Sequence, residues 1–349
     1  MNATMNCTFP YPFSPNPYPP SELTCVGMSL GSEFLVSTNL FSSWPKVASL
    51  SDGGFVVVWV ACSSSLCSVY GQMYNSEGTT VGSEFQVNTG SLYEPSAVVT
   101  GLNDGSFVVV WSNVVNPSEI DAELYGQIYN STGGAIGGEF QVTGYFNWIS
   151  SIAAVASLSD GGFVVVWVAC SSSLCNVYGQ MYNSAGTAEG STFLVNTDSL
   201  YSSNPAVASL DDGGFIVVWS GLNFSPNVYG QMYNSAGTAE GSTFLVSTVA
   251  EGISPVVAGL DGGGFIVLWG PCGNNFGQVY SSTRTAVGST FLVDNVCCYT
   301  NPFMPCSQVA SLSDGGFIVM WVGGFSDVYG QMNNSYGQLY NNTGGGYRG

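Results

Sequence analysis

An eight-residue motif close to DGGFVVVW recurs six times, ending at Trp59, Trp111, Trp167, Trp219, Trp269 and Trp321, with spacings of 52, 56, 52, 50 and 52 residues. Units of this length are too long for one coil of a β-solenoid. Each is a supersecondary module that buries its apolar face only against a neighbour. Four short apolar segments follow one another in fixed order within a unit. The first is a small-residue run, Val47 to Leu50, echoed at Val155 to Leu158, Val207 to Leu210 and Val309 to Leu312. A turn then carries Asp52, Asp104, Asp160, Asp212 or Asp314, with Asp261 displaced by one position. Asp-Gly supplies the positive φ that a tight hairpin demands. The Phe-Val-Val-Val-Trp segment is β-branched, aromatic and apolar on both faces, the mark of a strand covered from both sides. A third segment, VYGQMYN, places Tyr70, Tyr125, Tyr178, Tyr229 and Tyr329 at one position, with Phe276 in unit five. The fourth, close to Gly-Ser-Glu/Thr-Phe-Leu/Gln-Val, begins at Gly82, Gly137, Gly190, Gly241 and Gly288.

Four short strands per unit is the arithmetic of a propeller blade, so the expected fold is all-β, a six-bladed β-propeller of four-stranded blades. Small side chains in the first segment suit the crowded innermost strand, and bulky Phe and Trp suit the widening space between blades. Each Trp would bury about 150–250 Å², so blade stacking is expected to dominate stability. Unit six lacks the fourth segment after VYGQMNN, while a copy stands at the other end of the chain as Gly31 to Val36. An N-terminal strand containing Phe34, Leu35 and Val36 is therefore expected to complete the last blade, in its own ring or in a neighbouring chain, because strand addition removes an open edge. The domain plan is a Pro-rich arm over 1–30, the propeller over 31–340 and a Gly-rich tail over 341–349.

These units resemble the DGGFVVVW…VYGQ-type repeats found in tandem in large bacterial and algal surface or secreted proteins, over roughly residues 31–340. The resemblance implies an extracellular, propeller-like repeat with binding or structural duties. It carries over no catalytic residue.

Charge narrows the partners. Lys+Arg is 3 against Asp+Glu 22, a net charge of -19, and the basic residues are Lys46, Arg284 and Arg348. No phosphate-neutralising surface can be built from three cations, which excludes nucleic acid and disfavours anionic membranes. No run of eighteen apolar residues offers a membrane span. The first thirty residues also lack the basic-then-apolar pattern of a signal peptide, so export is expected to depend on a leader outside this sequence.

An even complement of 10 cysteines suits an oxidising, extracellular or cell-surface location. Cys62 and Cys67 flank SSSL, as do Cys170 and Cys175 in the same place of unit three, a spacing that closes a hairpin-loop disulfide. Cys272 stands where Cys62 and Cys170 stand, but Gly277 occupies the place of its mate. Its partner is expected among Cys297, Cys298 and Cys306, leaving Cys7 and Cys25 for one another or the remainder. Acceptor sequons for N-glycosylation occur at Asn2, Asn6, Asn130, Asn223, Asn333 and Asn341.

The chain contains no His, which removes the usual general base and the commonest metal ligand. Most Asp stand in turns, Asp211-Asp212 is the nearest approach to a carboxylate pair, and no D-x-D-x-D-G calcium loop occurs. No catalytic residue, metal or cofactor is expected. Tyr and Gln of the YGQ tripeptides are read first as packing units, with repeated sugar pockets as the alternative. The preferred function is a non-enzymatic extracellular structural or adhesive protein that self-assembles through its N-terminal arm and strand exchange into a filament or coat. The alternative is a monomeric, lectin-like propeller that binds glycans between blades.

Overall fold

The structure, a computed structural model, describes residues 35–37, 42–63, 66–93, 95–116, 121–143, 149–171, 174–196, 202–221, 226–247, 253–270, 274–294, 307–312, 315–323 and 334–346. Blade one comprises β1 (Ser42–Ser49), β2 (Phe55–Ser63), β3 (Leu66–Tyr74) and β4 (Thr80–Gln86). Blade two comprises β5 (Ala97–Gly101), β6 (Phe107–Asn116), β7 (Asp121–Tyr129) and β8 (Ala135–Gln141). Blade three holds β9 (Ile149–Ser157), β10 (Phe163–Ser171), β11 (Leu174–Tyr182) and β12 (Ala188–Leu194), and blade four β13 (Ser202–Ser209), β14 (Phe215–Gly221), β15 (Asn227–Tyr233) and β16 (Ala239–Leu245). Blade five holds β17 (Val256–Gly259), β18 (Phe265–Trp269), β19 (Asn275–Tyr280) and β20 (Ala286–Asp294), and blade six β21 (Ser307–Ser311), β22 (Phe317–Gly323) and β23 (Asn334–Tyr340). Every sheet is an antiparallel meander in chain order, and the first strands of successive blades touch from blade one through to blade six. The fold is thus a six-bladed β-propeller. Among the described residues no helix is long and apolar enough to cross a membrane.

The repeat residues build the blades for identifiable reasons. In blades one to four the turn Asp accepts the N–H two residues on, as Asp52 Oδ1 does from Gly54 at 2.9 Å, while Gly53 supplies φ +85. This Asx turn fixes the first hairpin. In blades one to five the second strand is buried on both sides, with one side chain set facing each neighbour, whereas in blade six Met320 is exposed. Val56, Val58 and Val60 of blade one pack against Phe107, Val109, Trp111 and Tyr129 of blade two, and analogous clusters join blades two to three, three to four, four to five and five to six. A Phe from the fourth strand of one blade wedges between Phe and Tyr of the next, as Phe85 does 5.0 Å from Tyr129. The same Phe ring lies over the Gly of its own YGQ: a Cβ at Gly179 would stand 2.5 Å from Phe193 Cζ. Glycine is required there by close approach.

The third strand of blade six differs from the sequence expectation. Tyr329 was expected to open it, but β23 is Asn334–Tyr340, with Tyr336 opposite Trp321 and Tyr340 opposite Phe317. The segment holding Tyr329 lies outside the described residues. Two YGQ copies seven residues apart compete for one place, and only the second puts Tyr four positions further on; the first would put Asn333 there. Tyr340 fills the interblade pocket 5.1 Å from Phe291, which Asn333 could not do. The turn Asn341–Gly345 then brings Gly346 opposite Tyr340, so the sixth sheet continues into the expected tail.

Candidate functional site

Most repeat positions consume their polar groups internally. Gln72, Gln127, Gln180, Gln231 and Gln278 of YGQ are buried, and each Nε2 donates to backbone carbonyls across the bulge between third and fourth strands. In blades three, four and five, Thr192, Thr243 and Thr290 donate to Gln Oε1 as well. The Gln amides therefore cannot serve repeated sugar pockets. The YGQ Tyr stacks on Trp in each of the first four blades, and Phe276 packs tilted against Trp269 in the fifth. Asp211, half of the nearest carboxylate doublet, accepts Gly262 and Gly263 N–H of the next blade, while Asp212 serves its own turn. Both are structural.

Blade two breaks this pattern. Glu123 stands where the other units have Ser68, Asn176, Asn227 and Asn274, and Asn113 stands where they have Ala61, Ala169, Gly221 and Pro271. Glu139 occupies the position of the Gln-bonded Thr residues. Being an acceptor when ionised, it cannot donate to Gln127 Oε1. Instead its Oε1 accepts the Thr89 N–H at 2.5 Å, reaching the loop that joins blade one to blade two. A cavity of about 250 Å³ lies there, lined by Asn88, Thr89, Ser91, Leu92, Trp111, Asn113, Tyr125 and Glu139. Glu84 takes the Glu139 position in blade one, but with Ser68 and Ala61 beside it.

Tyr125 is the centre of this cleft. Its hydroxyl donates to Glu123 Oε2 at 2.6 Å, and Glu123 Oε1 accepts Gln141 Nε2 at 3.3 Å. The Glu123 hydrogen bond, then burial and the charges of Glu123 and Glu139, push Tyr125 up to about 12. It is a firmly protonated phenol with its ring stacked on Trp111 at 6.3 Å. The floor is equally fixed: Asn88 Oδ1 accepts the Val69 N–H at 2.7 Å while its amide donates to Gly90 O. Among the described residues no cation lines the cleft. Arg284 lies elsewhere, donating to the Glu240 and Ser242 carbonyls.

The other expected residues are placed as follows. Cys62 is bonded to Cys67 and Cys170 to Cys175. Cys7, Cys25, Cys272, Cys297, Cys298 and Cys306 lie outside the described residues, as do Asn2, Asn6, Asn223, Asn333 and Phe34. Asn130 and Asn341 sit exposed or half-buried in turns, each Oδ1 accepting the N–H and hydroxyl of the sequon Thr. Leu35 is exposed, and Val36 packs against Val57, Trp59 and Tyr74 of blade one. That is the place Val87 takes on blade two and Val142 on blade three. Among the described residues no group of three or more His, Cys, Asp or Glu could hold a metal.

No protein-family model matches the sequence, and no curated protein matches it. Solved structures of similar shape are numerous. A protein of unknown function from Dyadobacter fermentans aligns at TM-score 0.61 and 9% identity, covering 86% of this chain and 94% of that one. The Hadza microbial sialidase Hz136 aligns at TM-score 0.57 and 8% identity, covering 81% of this chain and 63% of that one. Leech intramolecular trans-sialidase, complexed with 2,7-anhydro-Neu5Ac, aligns at TM-score 0.53 and 9% identity over 91% of this chain and 71% of that one. At such identities the likeness establishes the propeller and nothing about the site.

Proposed function

We propose that the protein is an extracellular saccharide-binding propeller with a site in the cleft between blades one and two. The observation that carries this reading is Tyr125 held between Glu123 and Glu139 beside a cavity of about 250 Å³; none of blades one, three, four and five has Glu at both positions. Aromatic walls, amides and carboxylates that accept hydroxyl donors suit a sugar ring. Sialidases share the fold, but a sialic acid carboxylate would meet Glu139 with no cation to receive it, so the ligand is a neutral sugar. Tyr125 gives its one proton to Glu123 and, with a pKa of about 12, keeps it at neutral pH, which leaves its oxygen as an acceptor for a sugar hydroxyl and favours binding over nucleophilic catalysis. The two hairpin disulfides are compatible with an extracellular setting.

Calorimetric titration with neutral methyl glycosides tests this. Saturable binding is expected, weakened about tenfold or more by Glu139→Thr, since a hydrogen bond to a charged acceptor contributes roughly 1.5–3 kcal/mol. Absence of binding by every glycoside, or equal binding by the variant, would overturn it.

Self-association is a second reading, resting on the expectation that an N-terminal strand pairs into the sixth sheet, which has three strands among the described residues. In this reading a strand from another chain takes that place. Light scattering that finds only monomer at high concentration would sink it.

A further inference from the structure

The cleft depends on a loop, and the loop is held by a disulfide-bonded hairpin. Cys62 and Cys67 face one another across β2 and β3 with Cα atoms 3.9 Å apart. Such a close pair is the kind whose backbone groups point away from each other. Cys67 spends those groups on the loop: its N–H donates to Leu92 O and its C=O accepts the Leu92 N–H, both at 2.8 Å. Leu92 and Ser91 line the cavity, and Leu92 packs in one apolar cluster with Cys67. At this end of the hairpin the S–S bond therefore ties Cys67 to Cys62, while Cys67 holds the wall of the site.

We infer that the Cys62–Cys67 disulfide is a positioning element of the cleft, so that its reduction releases the 87–93 loop and weakens the site. This rests on the saccharide reading for its ligand but not for its structural consequence. A dithiol reductant supplies two electrons and two protons; the S–S bond breaks, two thiols form, and the reductant closes to its own disulfide. The two described disulfides differ in access. Cys62 is half-buried, whereas its counterpart Cys170 is buried in the interface of blades three and four, so access favours the blade-one bond.

Blade three supplies an internal control, because WVACSSSLC occurs in both hairpins and, among the described residues, it is Cys67 of blade one that bonds to a residue lining the cavity. Hydrogen exchange of the 87–93 segment should accelerate roughly tenfold or more in the C62S/C67S variant and stay unchanged in C170S/C175S, since lost local hydrogen bonding opens the segment below the global unfolding limit. The binding constant for neutral methyl glycosides should fall about tenfold in the first variant alone. Should C62S/C67S fail to fold, stepwise dithiol titration of the native protein, followed by the same exchange measurement, decides the matter. Unchanged exchange at 87–93, or equal acceleration in both variants, overturns the proposal. If the oxidised protein binds no glycoside, the saccharide reading falls while the exchange result still judges the disulfide.

Discussion

Blades two and four use one scaffold and end in different chemistry. Both stack Tyr on Trp, Tyr125 on Trp111 and Tyr229 on Trp219 at 6.3 and 6.2 Å, and both tuck a Phe ring over the YGQ glycine. In blade four, Thr243 turns inward and donates to Gln231 Oε1. In blade two, Glu139 has no proton to give and turns outward to the Thr89 N–H. A single exchange of donor for acceptor thus moves a side chain from holding the bulge to lining a cleft. Glu123 and Asn113, against Asn227 and Gly221, complete the difference. Repetition supplies the framework, and the proposed site sits where the repetition fails.

The largest effect should be one that the two blades share. Trp111→Ala and Trp219→Ala should each cost about 3–5 kcal/mol, because both indoles are buried in equivalent interblade clusters. Chemical denaturation measures this, and a much smaller loss at Trp111 would show that the cleft has loosened its scaffold. Next, Gly126→Ala and Gly230→Ala place a Cβ 2.4 and 2.8 Å from Phe140 and Phe244 Cζ. Each should lose about 1–3 kcal/mol through overpacking. Glu139→Thr and Thr243→Glu should separate the blades: the first should keep stability within about 0.5 kcal/mol and weaken binding about tenfold, and the second should cost about 0.5–1.5 kcal/mol by removing the bond to Gln231 and leave binding unchanged. Replacing Glu123 with Gln should bring Tyr125 from about 12 toward the ordinary phenol value near 10, read by ultraviolet titration.

Alkaline behaviour belongs to the scaffold. Burial pushes Tyr182 and Tyr280 up to about 12, and Tyr129 and Tyr233 are raised in the same way. A raised folded-state value means the stabilisation is fully present below the unfolded pKa near 10 and is lost as pH rises through about 12. Circular dichroism should therefore show weakening in that window. Unchanged stability to denaturant across it would contradict the buried-phenol account.

The fold was legible because its signal is repeated: a period near fifty, a β-branched strand ending in Trp and an Asp-Gly turn all agree. Its last strand was misplaced because VYGQMNN and SYGQLYN differ at one decisive residue. Tyr340 against Asn333 matters only once Phe291 is known to wait across the interface. The cleft was missed for the opposite reason. Glu123, Asn113 and Glu139 are scattered in sequence and carry no motif, so their signal lies in departures from the repeat consensus and not in what recurs. Gln of YGQ showed the converse, since regular recurrence marked an internal brace.

Crystals soaked with neutral methyl glycosides give the most direct test. The account requires sugar density between Thr89, Asn113, Tyr125 and Glu139 and none in the corresponding cleft of blade four. Density in both clefts alike, or in blade four alone, would contradict it.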